Sequence, residues 1–92
     1  MNLYQKVINK WGVETQINIL IEEMSELIFA IQKIKRGNKE KYLKRYNNIC
    51  EEIADVKIMI EQMDYIYDKK KIDYYYNKKI LKLKNKLKKQ ND

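Results

Sequence analysis

Apolar residues recur every three or four positions through nearly the whole chain, and strict alternation never persists for more than a few residues. The first spacing marks amphipathic helices and the second would mark strands, so the pattern predicts helices throughout. Tyr4, Val7, Ile8 and Trp11 define a short helix from Asn2, an N-cap candidate, to Lys10, with Gly12 ending it. From about Glu14 to Arg36 a longer stripe passes through Ile17, Leu20, Met24, Leu27, Ile31 and Ile34 and closes at Gly37-Asn38. A third stripe, Ile49, Ile53, Val56, Ile60, Met63 and Tyr67, can be traced back to Leu43 and Tyr46. The last, Ile72, Tyr76, Ile80, Leu83 and Leu87, predicts an amphipathic C-terminal helix with a frayed end. The expected fold is all-α, with two long helices forming an antiparallel hairpin because about five residues join them, flanked by a short N-terminal and a C-terminal helix.

Composition agrees with that class and narrows the chemistry. Ninety-two residues make one domain, and two Gly with no Pro leave few breaks in the helices. The absence of His and a single cysteine, Cys50, exclude an intramolecular disulfide and the usual zinc and haem ligand sets. No apolar run approaches the roughly 20 residues that span a bilayer, so no membrane partner and a cytoplasmic location are expected. The formal charge of +7 points first to a nucleic-acid binder, but it is unevenly placed. Residues 1 to 68 carry ten Lys or Arg and eleven Asp or Glu, whereas residues 69 to 92 carry ten Lys and two Asp. The expected organisation is a near-neutral helical core over 1–68 and a basic helix of the same domain over 69–92. A chain this small buries little surface for its length, so stripes this long predict a partner subunit.

Four acidic residues stand out against that background. Glu23 and Glu26 on the second helix, and Glu52 and Asp55 on the third, each have the three-residue spacing that shares a helical face. With Leu20 and Val56 taken as the stripe centres, both pairs fall on the same-handed edge, at about −40° to −120° for about 100° per residue. An antiparallel pair of helices keeps such edges on one side of the pair, so the carboxylates converge. Their levels match too: Glu23 lies opposite Asp55 and Glu26 opposite Glu52, which leaves residues 37 to 41 for the turn. Converging carboxylates repel one another unless a cation joins them, and an oxygen-only set selects Mg²⁺ or, alternatively, Mn²⁺. The pattern therefore suggests a metal-assisted phosphate site. The same levels put Gln16 opposite Gln62 and Ile19 opposite Met59 at one end, a mix of amide and apolar groups suited to a base. Toward the other end Ala30 faces Asn48, and Lys33 faces Arg45, within reach of phosphates. Trp11 stacks on a base or, as a lone Trp at a helix end more often does, packs in the core, and Met24, Met59 and Met63 read as packing residues.

The words around these carboxylates carry a resemblance. Lys10-Trp11-Gly12 through Gln16, then Ile21-Glu22-Glu23-Met24-Ser25-Glu26-Leu27, and later Glu51-Glu52-Ile53-Ala54-Asp55-Val56, resemble the MazG-like all-α nucleoside triphosphate pyrophosphohydrolases. The family pattern of ExxE, a spacer, then ExxD is met by Glu23, Glu26, Glu52 and Asp55, with 25 residues between Glu26 and Glu52. The resemblance covers about residues 5 to 68, and more loosely the tail at Lys78-Lys79-Ile80-Leu81-Lys82-Leu83, which looks like the basic final helix of short phage-type members. It implies a four-helix unit completed as a homodimer or homotetramer, hydrolysing a (deoxy)nucleoside triphosphate to monophosphate and pyrophosphate. By the same resemblance Glu23, Glu26, Glu52 and Asp55 would hold Mg²⁺, and Glu22, the first of the doubled glutamates, would activate water. The chain departs from the commoner pattern at Lys57, which follows Asp55-Val56.

The tail supports two readings. Lys78 and Lys82 either cross the active site of this or a neighbouring subunit as phosphate ligands, or belong to a solvated face in a lysine-rich sequence. A helical nucleic-acid-binding or regulatory protein without catalysis is the alternative function, using those lysines. It would also need a stacking device, and Tyr74-Tyr75-Tyr76 is the candidate, so the sequence ranks nucleic acid below a triphosphate as partner.

Overall fold

The computed structural model describes residues 1–37 and 39–90. Four α-helices follow one another, α1 (Leu3–Trp11), α2 (Val13–Lys35), α3 (Tyr42–Met63) and α4 (Lys69–Gln90), and no strand occurs among the described residues. Asn2 caps α1 as expected: its side chain accepts from the Gln5 N–H while the Gln5 side chain accepts from the Asn2 N–H, a reciprocal pair that satisfies two orphan donors. Gly12 both ends α1 and starts α2, at φ 94° and ψ 154°, a region essentially reserved for glycine. One residue thus redirects the chain. A single 3-10 turn, Lys39–Lys41, leads into α3, and Asn38 of the expected turn lies outside the described residues. At the far end α3 stops at Met63, short of the Tyr67 that its stripe includes. Three-residue turns carry residues 64 to 67 instead, and the Asp68 carboxylate accepts from the Lys71 N–H to open α4 earlier than expected.

The long helices α2 and α3 pack side by side as the expected antiparallel hairpin, and α1 leans on α2. Tyr4 fastens α1 to the end of α3, its hydroxyl donating to Glu61 Oε2 at 2.6 Å and its ring lying 6.0 Å from that of Tyr65. The register is the one deduced from levels: Arg45 Nη1 donates to the Lys33 carbonyl at 3.0 Å across the hairpin.

The orientation about each helix axis differs from the simple stripe reading. Leu20 and Val56 are only half-buried, and the buried positions are Gln16 and Ala30 on α2 and Met59, Gln62 and Met63 on α3. On a helical wheel all five lie on the carboxylate side of the expected centres, a displacement of about 60°. The acidic edge is thereby drawn toward the seam. The opposite edge, Ile21, Met24, Ile28 and Ile31 on α2 with Ile53 and Ile60 on α3, is left exposed. Met24 and Trp11, read as packing residues, are therefore corrected to exposed ones, with Lys10 Nζ above the Trp11 ring at 5.0 Å. The radius of gyration is 17.2 Å, well above the roughly 12 Å of a compact chain of this length. No residue of α4 is buried, and no helix among the described residues is long and apolar enough to cross a membrane.

Candidate metal centre

The hairpin brings three of the four expected carboxylates into one group. Glu23, Glu52 and Asp55 each offer an oxygen, and these oxygens all lie within 4.8 Å of one another. Glu23 and Glu52 are half-buried in the rotated seam, and Asp55 is exposed at its rim. Glu23 Oε2 and Glu52 Oε2 are both shielded from solvent with no hydrogen-bond partner. Buried oxygens of this kind are costly unless something meets them. The electrostatics say the same: burial, then the neighbouring Glu26 and Asp55 carboxylates, pushes the Glu23 pKa above its ordinary value, with Glu52 and Glu22 adding to it. Glu52 is raised by burial first and then by Glu26 and Asp55. Helix geometry explains the convergence, since the two pairs share one edge of an antiparallel pair and the seam turns toward that edge.

Glu26 stands beside the trio rather than within it. It lines a groove of about 360 Å³ together with Glu22, Ser25, Lys33, Asn48 and Glu52. Ser25 is tied down locally, its hydroxyl donating to the Ile21 carbonyl at 2.8 Å. Lys33 and Asn48 also line a second groove, which continues toward Lys41, Lys44 and Arg45. The acidic end of the hairpin face therefore passes into a basic end. Arg45 contributes there with one guanidinium nitrogen already committed to the Lys33 carbonyl. Lys41 and Lys44 escaped the sequence reading, although Lys44 lies on the carboxylate side of the α3 wheel and the same level argument reaches it; Lys41 belongs to the turn before α3.

The remaining expected residues divide into two sets. Gln16, Gln62 and Met59 are all closed over, at 3%, 2% and 6% exposure, with Gln62 Nε2 4.0 Å from the Met59 sulfur and Gln62 Oε1 unpartnered. Ile19 is half-buried beside them in sequence level. Lys78 and Lys82 are not brought to the carboxylates of their own chain; they line a groove formed by α4 residues alone. No family model matches this chain, and no curated protein or solved structure matches it either.

The donor set fits a hard divalent cation. It consists only of carboxylate oxygens, two of them desolvated and unpartnered, with raised pKa values that a nearby cation would reverse. Mg²⁺ commonly keeps part of its shell for water and substrate phosphates, and one exposed side of the trio leaves room for both.

Proposed function

We propose that this chain is a Mg²⁺-dependent nucleoside triphosphate pyrophosphohydrolase of the MazG-like kind, acting in the cytoplasm as a homodimer or homotetramer. The observation that carries the reading is the trio Glu23, Glu52 and Asp55 with its two orphaned oxygens, of which Glu52 also lines a groove that passes on to Lys33, Lys44 and Arg45. In this reading Glu23, Glu52 and Asp55 hold the metal, with Mn²⁺ as a substitute, and Glu26 completes the set from the groove wall. The bound ion supplies charge neutralisation of the phosphates and a lowered pKa for water.

The chain's own groups do the rest. Glu22, an exposed carboxylate on the groove wall, accepts the proton of the water that attacks the α-phosphorus. The bond from that phosphorus to the bridging oxygen breaks, and pyrophosphate leaves with the bonding electrons. Lys33, joined by Lys44, pairs with the phosphates along the basic end of the face. Ile19, Met59, Gln16 and Gln62 would receive the base only if the seam opens at that end, where the buried Gln62 Oε1 is an acceptor in need of a donor. Lys78 and Lys82 contribute to a site only if it belongs to a neighbouring subunit.

Assembly belongs to the same proposal. The exposed edge built from Ile21, Met24, Ile28, Ile31, Ile53 and Ile60 lies on the side of the hairpin away from the carboxylates, so a second copy can cover it and leave the groove open. Pyrophosphate release from a panel of nucleoside and deoxynucleoside triphosphates with Mg²⁺ tests the activity. Glu23→Gln should lose at least about a hundredfold in rate. Hydrolysis of no nucleotide, or a variant as active as the parent, would overturn the proposal.

A further inference from the structure

The helix α4 stands apart from the machinery just described. It spans Lys69–Gln90, buries no residue, and leaves Leu81, Leu83 and Leu87 about as exposed as its tyrosines. Its charge is extreme: ten lysines face one acid, Asp73, whose carboxylate is paired with Lys69 at 2.9 Å. The nine other lysines of α4 make no ion pair among the described residues.

Those lysines are not evenly spread. On a helical wheel Lys71, Lys78, Lys79, Lys82, Lys86 and Lys89 fall within an arc of about 100°, and no acid shares it. Tyr75 sits in the middle of that arc, 55% exposed, with the Tyr74 ring edge-on at 5.2 Å. Lys78 Nζ lies 5.9 Å from the centre of the Tyr74 ring. Tyr75, Lys78, Lys82, Asn85, Lys86 and Lys89 border one continuous groove along the helix.

Magnitudes choose the ligand. Twenty-two residues span about 33 Å, so a net charge of +9 over residues 69 to 90 gives about one positive charge per 3.7 Å. Within a duplex each nucleic-acid strand carries about one negative charge per 3.4 Å of axis, so the helix has charge enough to follow a phosphate backbone along its length. A lone triphosphate, with about four charges, would leave about two of the six lysines on the face unmatched and would not extend along the helix. A lipid surface would need a broad apolar face separated from the lysines. Here the apolar stripe of Ile72, Tyr76, Ile80, Leu83 and Leu87 is only about 80° wide, Lys69 lies within it, and Leu81 lies on the opposite side among lysines. A duplex would use the charge but not the ring, whereas an exposed tyrosine within a basic groove is what an unpaired base stacks on.

We infer that the lysine face of α4 binds single-stranded nucleic acid, with phosphates along Lys78, Lys82, Lys86 and Lys89 and a base on Tyr75. This function does not depend on the carboxylate site. The test is fluorescence anisotropy of the full chain with unstructured thymidine and uridine oligomers of about 20 nucleotides, which separates DNA from RNA as the source. If about six lysines engage, the slope of log affinity against log salt is about −4, a loss of about 300-fold between about 50 and 200 mM salt. The triple substitution Lys78→Gln, Lys82→Gln and Lys86→Gln should bring the slope to about −2, and Tyr75→Ala should weaken binding at least about fivefold. Glu23→Gln should bind like the parent, so a failed hydrolase assay leaves this inference standing and the reverse. Circular dichroism of the variants should match the parent, because Tyr75, Lys78, Lys82 and Lys86 are all exposed. Absence of salt-dependent binding would overturn the inference. So would equal binding of duplex, an unaffected Tyr75→Ala, stronger binding to vesicles containing phosphatidylserine, or an effect of the triple substitution on oligomeric state alone.

Discussion

Substituting Glu23 by Gln should raise the stability of the metal-free protein while removing most of its response to Mg²⁺. Glu23 has a folded-state pKa above its ordinary value because burial and the neighbouring carboxylates oppose its charge. For a carboxyl raised on folding, the sign of the linkage is fixed: stability is fully present below the unfolded pKa and is lost as pH rises through the folded one. Above that folded value the parent therefore carries the penalty of a charged Glu23 beside its neighbours, and Glu23→Gln removes that charge. A cation relieves the same penalty by binding only the folded state, and at ten times its dissociation constant the linkage is RT ln 11, about 1.4 kcal/mol. For 92 residues the unfolding entropy is about 0.19 kcal/mol per degree, so this amounts to about 7 °C, rising to about 14 °C at a hundredfold excess. Thermal melts in chelator and in Mg²⁺, at one protein concentration because assembly also shifts Tm, provide the measurement. A Glu23→Gln protein that melts below the parent in chelator and still gains the full increment from Mg²⁺ would refute the reasoning.

Other consequences follow from the same geometry. In chelator, lowering the pH from neutrality through the raised Glu23 and Glu52 values toward the ordinary carboxylate range should raise Tm, and saturating Mg²⁺ should flatten that dependence; a melt insensitive to pH in chelator contradicts the raised values. Gly12→Ala places a side chain at φ 94° and should cost about 1 to 3 kcal/mol in urea denaturation, although nothing lies within 4 Å of the new Cβ. Asn2→Ala breaks the reciprocal cap of α1 and should cost about 1 kcal/mol, read in the same way. Ile28→Lys with Ile53→Lys should shift the sedimentation coefficient to that of a single chain, whereas an unchanged value places the subunit contact elsewhere.

Much of the fold was legible because helical periodicity is a local property. The spacing of Ile17 through Ile34 and of Ile49 through Met63 gave both long helices, and the cap residues Asn2 and Gly12 gave the ends of α1 to within a residue. Register was legible as well, since a short turn between helices of known length leaves one alignment, and the Arg45–Lys33 hydrogen bond realises it. Rotation about each axis was not. A stripe wide enough to meet two neighbours has a mean direction that points at neither, so Leu20 and Val56 marked its middle while the seam formed on Gln16, Ala30, Met59, Gln62 and Met63.

That rotation decided the character of the candidate site. Spacing alone put Glu23, Glu26, Glu52 and Asp55 on one edge and identified them as a group. The packing of α2 on α3 turned Glu23 and Glu52 inward, stripped two oxygens of water, brought Asp55 within reach and left Glu26 on the groove wall. The sequence likewise determined that the positive charge is concentrated in the last helix, because charge is counted residue by residue. Only the tertiary structure decided that this helix lies away from the carboxylates of its own chain, since that depends on which faces find partners and α4 buries no residue.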